Sequence, residues 1–202
     1  GAVFGVLPAL PSNEKLKVYI PFEEGAGTKV FNHANESEPL TIQNSSGFTR
    51  ISGSNTAYGN SLFLEGTFLT FDSGNGASAI IHDGGTQVSQ SIVVWLNTPS
   101  ASISTPQIIY EQNGATNGQS LFISNGQVYW SIWTGGGPGD KRVVSSSLND
   151  SELTMIGATV DANIGQMKIY KNGFVQQVLN ASITITGNDE CGIGGVASQT
   201  RI

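Results

Sequence analysis

The chain reads as an all-β protein of two packed antiparallel sheets, and three observations carry that expectation. From Leu16 onward, short runs rich in β-branched and aromatic residues alternate with Gly, Asn and Ser turns, and no stretch longer than about ten residues keeps a helical period. The 26 glycines, set against only 12% charged residues, suit many short strands joined by tight turns. Two Asn-Gly pairs, Asn125-Gly126 and Asn172-Gly173, each sit between apolar β-rich runs. Asn-Gly supplies the positive φ angles of a two-residue type I′ turn, so each pair marks an antiparallel hairpin.

With 202 residues, 38% of them hydrophobic, the chain can bury one sizeable core, and a sandwich of this length is ordinarily one domain. Residues 1–14 read as an apolar N-terminal strand and linker, and residues 15–202 as the sandwich. In chain order, strands are expected at residues 15–22, 40–43, 61–64, 68–72, 91–97, 107–111, 119–123 and 127–133. Further strands are expected at 141–145, 153–161, 166–170, 174–179, 183–186 and 191–194. The run Ser-Ile-Val-Val-Trp-Leu-Asn at 91–97 is apolar on both faces, which predicts a central strand covered from both sides, with Trp95 in the core. Strand 127–133 places Val128, Trp130 and Ile132 on one face and Tyr129, Ser131 and Trp133 on the other. One of these faces must look outward or toward a partner, so Tyr129, Trp130 and Trp133 are candidate ligand-stacking residues, with core packing expected for at least one face. The loop Thr-Gly-Gly-Gly-Pro-Gly-Asp at 134–140 lacks the Lys and the following helix of a phosphate cradle and reads as a flexible hairpin tip.

Four segments, taken in order, resemble one family. Residues 18–28 (Val-Tyr-Ile-Pro-Phe-Glu-Glu-Gly-Ala-Gly-Thr) form a strand that ends in an aromatic-acidic-Glu-Gly-x-Gly-Thr turn. Residues 58–66 (Tyr-Gly-Asn-Ser-Leu-Phe-Leu-Glu-Gly) look like a G-x-x-L-x-F-x-G strand, and residues 91–97 like a central Trp strand. Residues 153–173 look like a long hairpin closed by Tyr-x-Asn-Gly. Together these resemble the laminin-G-like domains of the concanavalin A-like jelly-roll family, over roughly residues 15–195. The resemblance implies an antiparallel jelly-roll sandwich with a face used to hold glycans or proteins. It also implies a final interior strand of pattern G-x-I-D-E-V, which this sequence does not show before Ile202. A sandwich without that strand would have an unfilled groove. The apolar residues Val3, Phe4, Val6 and Leu7 are the candidate assembly strand for it, docking within the same chain or in the next copy by strand addition.

The charge balance, 9 Lys and Arg against 15 Asp and Glu for a net −6, makes nucleic acid and anionic membranes poor partners. No run approaches the 18 or so apolar residues of a membrane-spanning helix. Residues 1–10 are apolar but lack a basic leader, so they do not read as an intact signal peptide. The single cysteine, Cys191, excludes an intrachain disulfide and is expected to be packed away as a small apolar group.

No catalytic residues are expected. Glycoside hydrolysis needs two carboxylates facing one bond, but the run Glu-x-Asp-x-x-Glu is absent, and Glu23 and Glu24, being adjacent, point to opposite faces of an extended chain. His33 and His82 have no triad or metal-ligand spacing. No cofactor or metal ligand set is named; a structural calcium would draw on the loops 72–75 or 82–84, which otherwise read as turns. Asn35, Asn44, Asn149 and Asn180 begin Asn-x-Ser sequons and are candidate N-glycosylation sites. These features describe a non-catalytic extracellular or cell-surface protein. It is read first as a structural filament subunit, self-associating into a homopolymer by N-terminal strand exchange, and alternatively as a lectin-like adhesion module binding glycans or surface proteins.

Overall fold

The computed structural model describes residues 16–34, 39–44, 46–51, 61–64, 66–71, 89–99, 104–112, 116–135, 141–185 and 191–195. Its strands are β1 (Lys29–Val30), β2 (Leu40–Ile42), β3 (Phe48–Ile51), β4 (Ser61–Leu64), β5 (Leu69–Phe71), β6 (Ser89–Leu96) and β7 (Gln107–Gln112). They continue with β8 (Gly118–Ser124), β9 (Gln127–Trp133), β10 (Lys141–Ser147), β11 (Thr154–Asp161), β12 (Gln166–Lys171), β13 (Phe174–Asn180) and β14 (Cys191–Ile193). An eight-stranded sheet runs β1-β2-β5-β14-β7-β8-β9-β10, a four-stranded sheet runs β13-β12-β11-β6, and β3 and β4 form a separate hairpin. Every pairing is antiparallel. The molecule is thus an all-β antiparallel sandwich of the jelly-roll kind.

The two Asn-Gly turns close the β8–β9 and β12–β13 hairpins with φ of 51° and 74° at Asn125 and Gly126, and of 51° and 86° at Asn172 and Gly173. These are the left-handed angles that a type I′ turn requires. Alternation then sends one face of each sheet inward. The large sheet contributes Val128, Trp130, Ile132, Leu121, Ile123 and Val144, and the small sheet contributes Ile156, Ala158, Val160, Met167 and Ile169, all buried in one core.

Several expectations fail for identifiable reasons. Residues 16–25 are not a strand, because a side chain replaces the ladder. Buried Asn32 accepts the Tyr19 N–H on Oδ1 at 2.9 Å and donates from Nδ2 to the Lys17 carbonyl at 3.0 Å, while the His33 N–H reaches the Tyr19 carbonyl. Strands β1 and β3 were not expected: two residues are too short to show a period, and Arg50 interrupts the apolar pattern of β3. That guanidinium instead donates to the carbonyls of Gly27 and Lys29 and pairs with Glu24 at 3.5 Å. Of the expected strand at 183–186, Ile185 alone among the described residues 183–185 makes a bridge, and residue 186 lies outside them. Residues 191–193 form β14, which lies inside the large sheet between β5 and β7, and the residues of the expected assembly strand lie outside the described ones. Finally, β6 is not a covered central strand. Among the described strands it pairs with β11 alone, and Ser91, Val93 and Trp95 alternate outward.

Candidate functional site

Two of the three expected stacking residues lie inside the protein. Trp130 is fully buried in the core, in register with Leu121 and Val144. Trp133, on the other face of β9, is buried as well; its indole lies across Gly118, where any Cβ would overlap Trp133 Cζ2 and sit 2.7 Å from Cε2. A glycine at 118 is therefore what lets the ring lie down. Tyr129 is half-buried and stacks on Phe122, with ring centroids 5.0 Å apart and an interplanar angle of 17°. With both indoles closed off, the half-buried Phe122–Tyr129 pair is what remains of the expected stacking surface on this strand.

The exposed tryptophan is the one assigned to the core. Trp95 is 59% exposed and Val93 62%, both on the outer face of the four-stranded sheet. The pairing registers carry that face across every strand. Val93 lies opposite Gly157, Gly157 opposite Tyr170, and Tyr170 opposite Val175, which is 51% exposed. Trp95 lies opposite Met155, whose N–H donates to Asn172 Oδ1 at 3.0 Å, fixing this end of the face to the β12–β13 turn. The next row holds Ser91, Thr159, Lys168 and Val178, and the last holds Ser89, Asp161, Gln166 and Asn180. The outer face is thus apolar at its Trp95 end and polar at its Asp161 end. Period-two alternation in β6 could have revealed this, but Val93 and Trp95 on the outward set look the same in sequence as core residues.

Other polar groups are committed to the fold. Gln119 Nε2 donates to Gln112 Oε1 at 2.7 Å and to the Tyr110 hydroxyl at 3.2 Å within the core. Burial pushes the neighbouring Cys191 thiol up to about 12, opposed by its hydrogen bond with Tyr110, and raises Tyr110 well above the usual phenol value. Glu111 is fully buried, but its cross-strand neighbours are Ser120 and Gly192, not the second carboxylate that glycoside hydrolysis requires. A shallow cleft of about 400 Å³ is lined by Glu23, Glu24, Phe31 and His33. There Glu24 accepts the Phe31 N–H at 2.7 Å and faces Arg50, so it serves as a brace.

Among the described residues, no group of three or more His, Cys, Asp and Glu could hold a metal ion, and no helix is long and apolar enough to cross a membrane. The assembly residues Val3, Phe4, Val6 and Leu7, the sequon at Asn35, and the loops 72–75 and 82–84 lie outside the described residues. Asn44, Asn149 and Asn180 are exposed; Asn149 donates to Glu152 at 2.6 Å, and Asn180 accepts from Gln166 at 3.0 Å.

No protein-family model and no curated protein matches the sequence. Among solved structures, the binding domain of botulinum neurotoxin serotype D superposes with a TM-score of 0.60 at 12% identity, over 90% of this chain and 44% of that one. The fold is shared. The receptor-binding domain of botulinum neurotoxin type G gives a TM-score of 0.56 at 12% identity, over 91% of this chain and 44% of its own. A type C neurotoxin structure, described as depending on two ganglioside molecules for cell entry, gives 0.55 at 12% identity, over 81% and 39%. The chain therefore spans about two-fifths of the length of these structures. The serotype D and type G structures are described as binding domains.

Proposed function

We propose that the chain is a non-catalytic, extracellular glycan-binding module of the laminin-G-like type, with residues 15–202 forming the sandwich and the outer face of the four-stranded sheet forming its binding surface. The observation that carries this reading is Trp95, an indole 59% open to solvent on the outer sheet face, with apolar neighbours on one side and hydroxyl, amide and carboxylate groups on the other. An exposed tryptophan costs solvation unless something covers it, and contiguous exposed apolar surface marks interaction sites. A pyranose ring is amphipathic in a matching way. Its C–H face packs on an aromatic ring, while its hydroxyls reach polar side chains such as Ser91, Thr159 and Gln166.

Size favours a small ligand over a protein partner. Four strands at ~4.8 Å spacing and two side-chain rows along them give roughly 200 Å² of apolar platform. A stable protein interface buries about 800 Å² per partner. Structural neighbours described by a dependence on two ganglioside molecules and by a complex with SialylT, the second with a TM-score of 0.50, support a glycan as the class of ligand only, since both of those glycans are acidic and this face carries no net charge to recruit them.

The test is a glycan array probed with the wild-type chain, Trp95→Ala and Phe31→Ser, the last removing an aromatic that is 47% exposed elsewhere. Binding that is lost in Trp95→Ala and kept in Phe31→Ser supports the proposal. No bound glycan, or equal binding by Trp95→Ala, overturns it.

A further inference from the structure

We infer that the outer face takes an extended, uncharged glycan lengthwise, running across the strands, and does not grip the end of a chain; this rests on the glycan-binding reading above. The apolar strip Val93, Gly157, Tyr170 and Val175 crosses all four strands in register. Three strand spacings of ~4.8 Å put its ends about 14 Å apart, longer than a single pyranose ring. One sugar would leave most of the strip uncovered, whereas successive rings of a chain would cover it.

Gly157 makes the strip continuous. A Cβ at this position would lie 3.5 Å from Tyr170 Cβ, 3.6 Å from Cδ2 and 3.8 Å from Cγ, so the tyrosine leans over the bare backbone of β11. The glycine itself is buried by this arrangement. With no side chain standing between Val93 and Tyr170, the two ends of the strip join over the middle strand.

The surface is also open. Val93 and Val175 are 62% and 51% exposed at the two ends of the strip, and Trp95 stands beside it at 59%. Recognition of a terminal sugar relies on a concave pocket that surrounds the ring and buries most of its surface. An exposed strip with no enclosing walls touches each ring on one face only, so affinity must come from the sum of several weak stacking contacts along a chain.

Charge selects against acidic and basic sugars. The strip and the Trp95–Met155 row contain no charged residue. The nearest charges on this face are Lys168 in the next row and Asp161 in the row beyond, of opposite sign and on neighbouring strands. They leave no net charge to recruit a carboxylate, a sulfate or an amine.

The experiment is a length series. Glucose-, galactose-, mannose- and xylose-based oligomers from mono- to hexasaccharide are titrated against the wild-type chain and Val175→Ser, beside sialylated and sulfated glycans of equal length. The expected result is a neutral series whose affinity rises severalfold with each added sugar until the strip is covered and then levels off. Val175→Ser, at the far end of the strip from Val93, should weaken the longer oligomers severalfold and flatten the gain in affinity with length. Highest affinity for a monosaccharide or chain end with no gain from length overturns the inference, as does Trp95-dependent binding confined to acidic glycans; either leaves the glycan-binding reading in place. Failure to bind any sugar at any length removes both.

Discussion

Replacing Trp95 and Trp130 separately by alanine distinguishes a surface platform from a core residue. Trp130 is fully buried. Large-to-small changes of this kind cost about 3–5 kcal/mol, from the lost transfer energy plus the cavity left behind. Trp95 is 59% exposed, so only about two-fifths of its surface is covered in the folded chain. Taking ~250 Å² for the side chain, some 100 Å² is removed from water, worth at most ~2.5 kcal/mol at ~25 cal/mol per Å². Compactness of the unfolded chain lowers this to roughly 1–2 kcal/mol. Trp95→Ala should therefore be the milder of the two in equilibrium urea unfolding, by about 1–4 kcal/mol. Acrylamide quenching gives an independent reading, since Trp95→Phe should remove most of the accessible emission and leave the shielded signal of Trp130 and Trp133. Trp130→Phe adds a control: the Trp130 Nε1 has no hydrogen-bond partner, so losing it leaves no acceptor unsatisfied. Equal destabilisation by Trp95→Ala and Trp130→Ala, or a Trp95→Phe variant as quenchable as the wild type, would refute the assignment of Trp95 to the surface.

Gly118→Ala should destabilise the fold by about 2 kcal/mol or more, because the new methyl meets the buried Trp133 ring on one side and the Gln112 carbonyl at 2.8 Å on the other; a thermal midpoint unchanged from wild type would contradict the packing. Alkaline pH should weaken the protein through Cys191, whose folded thiol is held by burial up to about 12, above the ordinary thiol value of 9.0. Above pH 9 the unfolded chain loses this proton while the folded chain keeps it, so stability is intact below pH 9 and falls as pH rises from 9 toward 12, on the order of 1 kcal/mol per unit. Tyr110, shifted in the same direction by burial, adds to the fall above pH 10. Urea titrations at pH 8 to 11 should show a shallower decline in Cys191→Ala than in the wild type, and parallel declines would remove the thiol from the account.

The fold was legible wherever local chemistry is decisive. Asn125-Gly126 and Asn172-Gly173 dictate their turns almost regardless of context, and the strands flanking them lie within a residue or so of expectation. Legibility fails where a side chain takes over a backbone role. Asn32 binds the Lys17 and Tyr19 backbone, so a β-rich run at 16–22 stays outside the ladder, and Arg50 ties down the 24–29 turn from within a strand that its charge had disguised. No periodicity analysis sees such long-range substitutions, because the partner lies more than ten residues away in the chain.

Trp95 was misread for a different reason, which bears on function. In a strand buried on one face, the inward set must be apolar to join the core, and β6 meets that with Ile92, Val94 and Leu96 packed against it. Nothing about stability requires the outward set to be apolar as well, and an edge strand is more safely given charges there. Serine at 89 and 91 follows that logic, while valine at 93 and tryptophan at 95 depart from it. β-Propensity alone accounts weakly for the departure, since threonine would serve a strand as well without exposing so much hydrocarbon. The apolar outward positions fall beside the one stretch of β11 where Gly157 lets Tyr170 lean across, and in register with Val175 two strands further on. Continuity over four strands is a tertiary property that no single segment encodes, and a ligand lying across the strands is the partner that would make use of it.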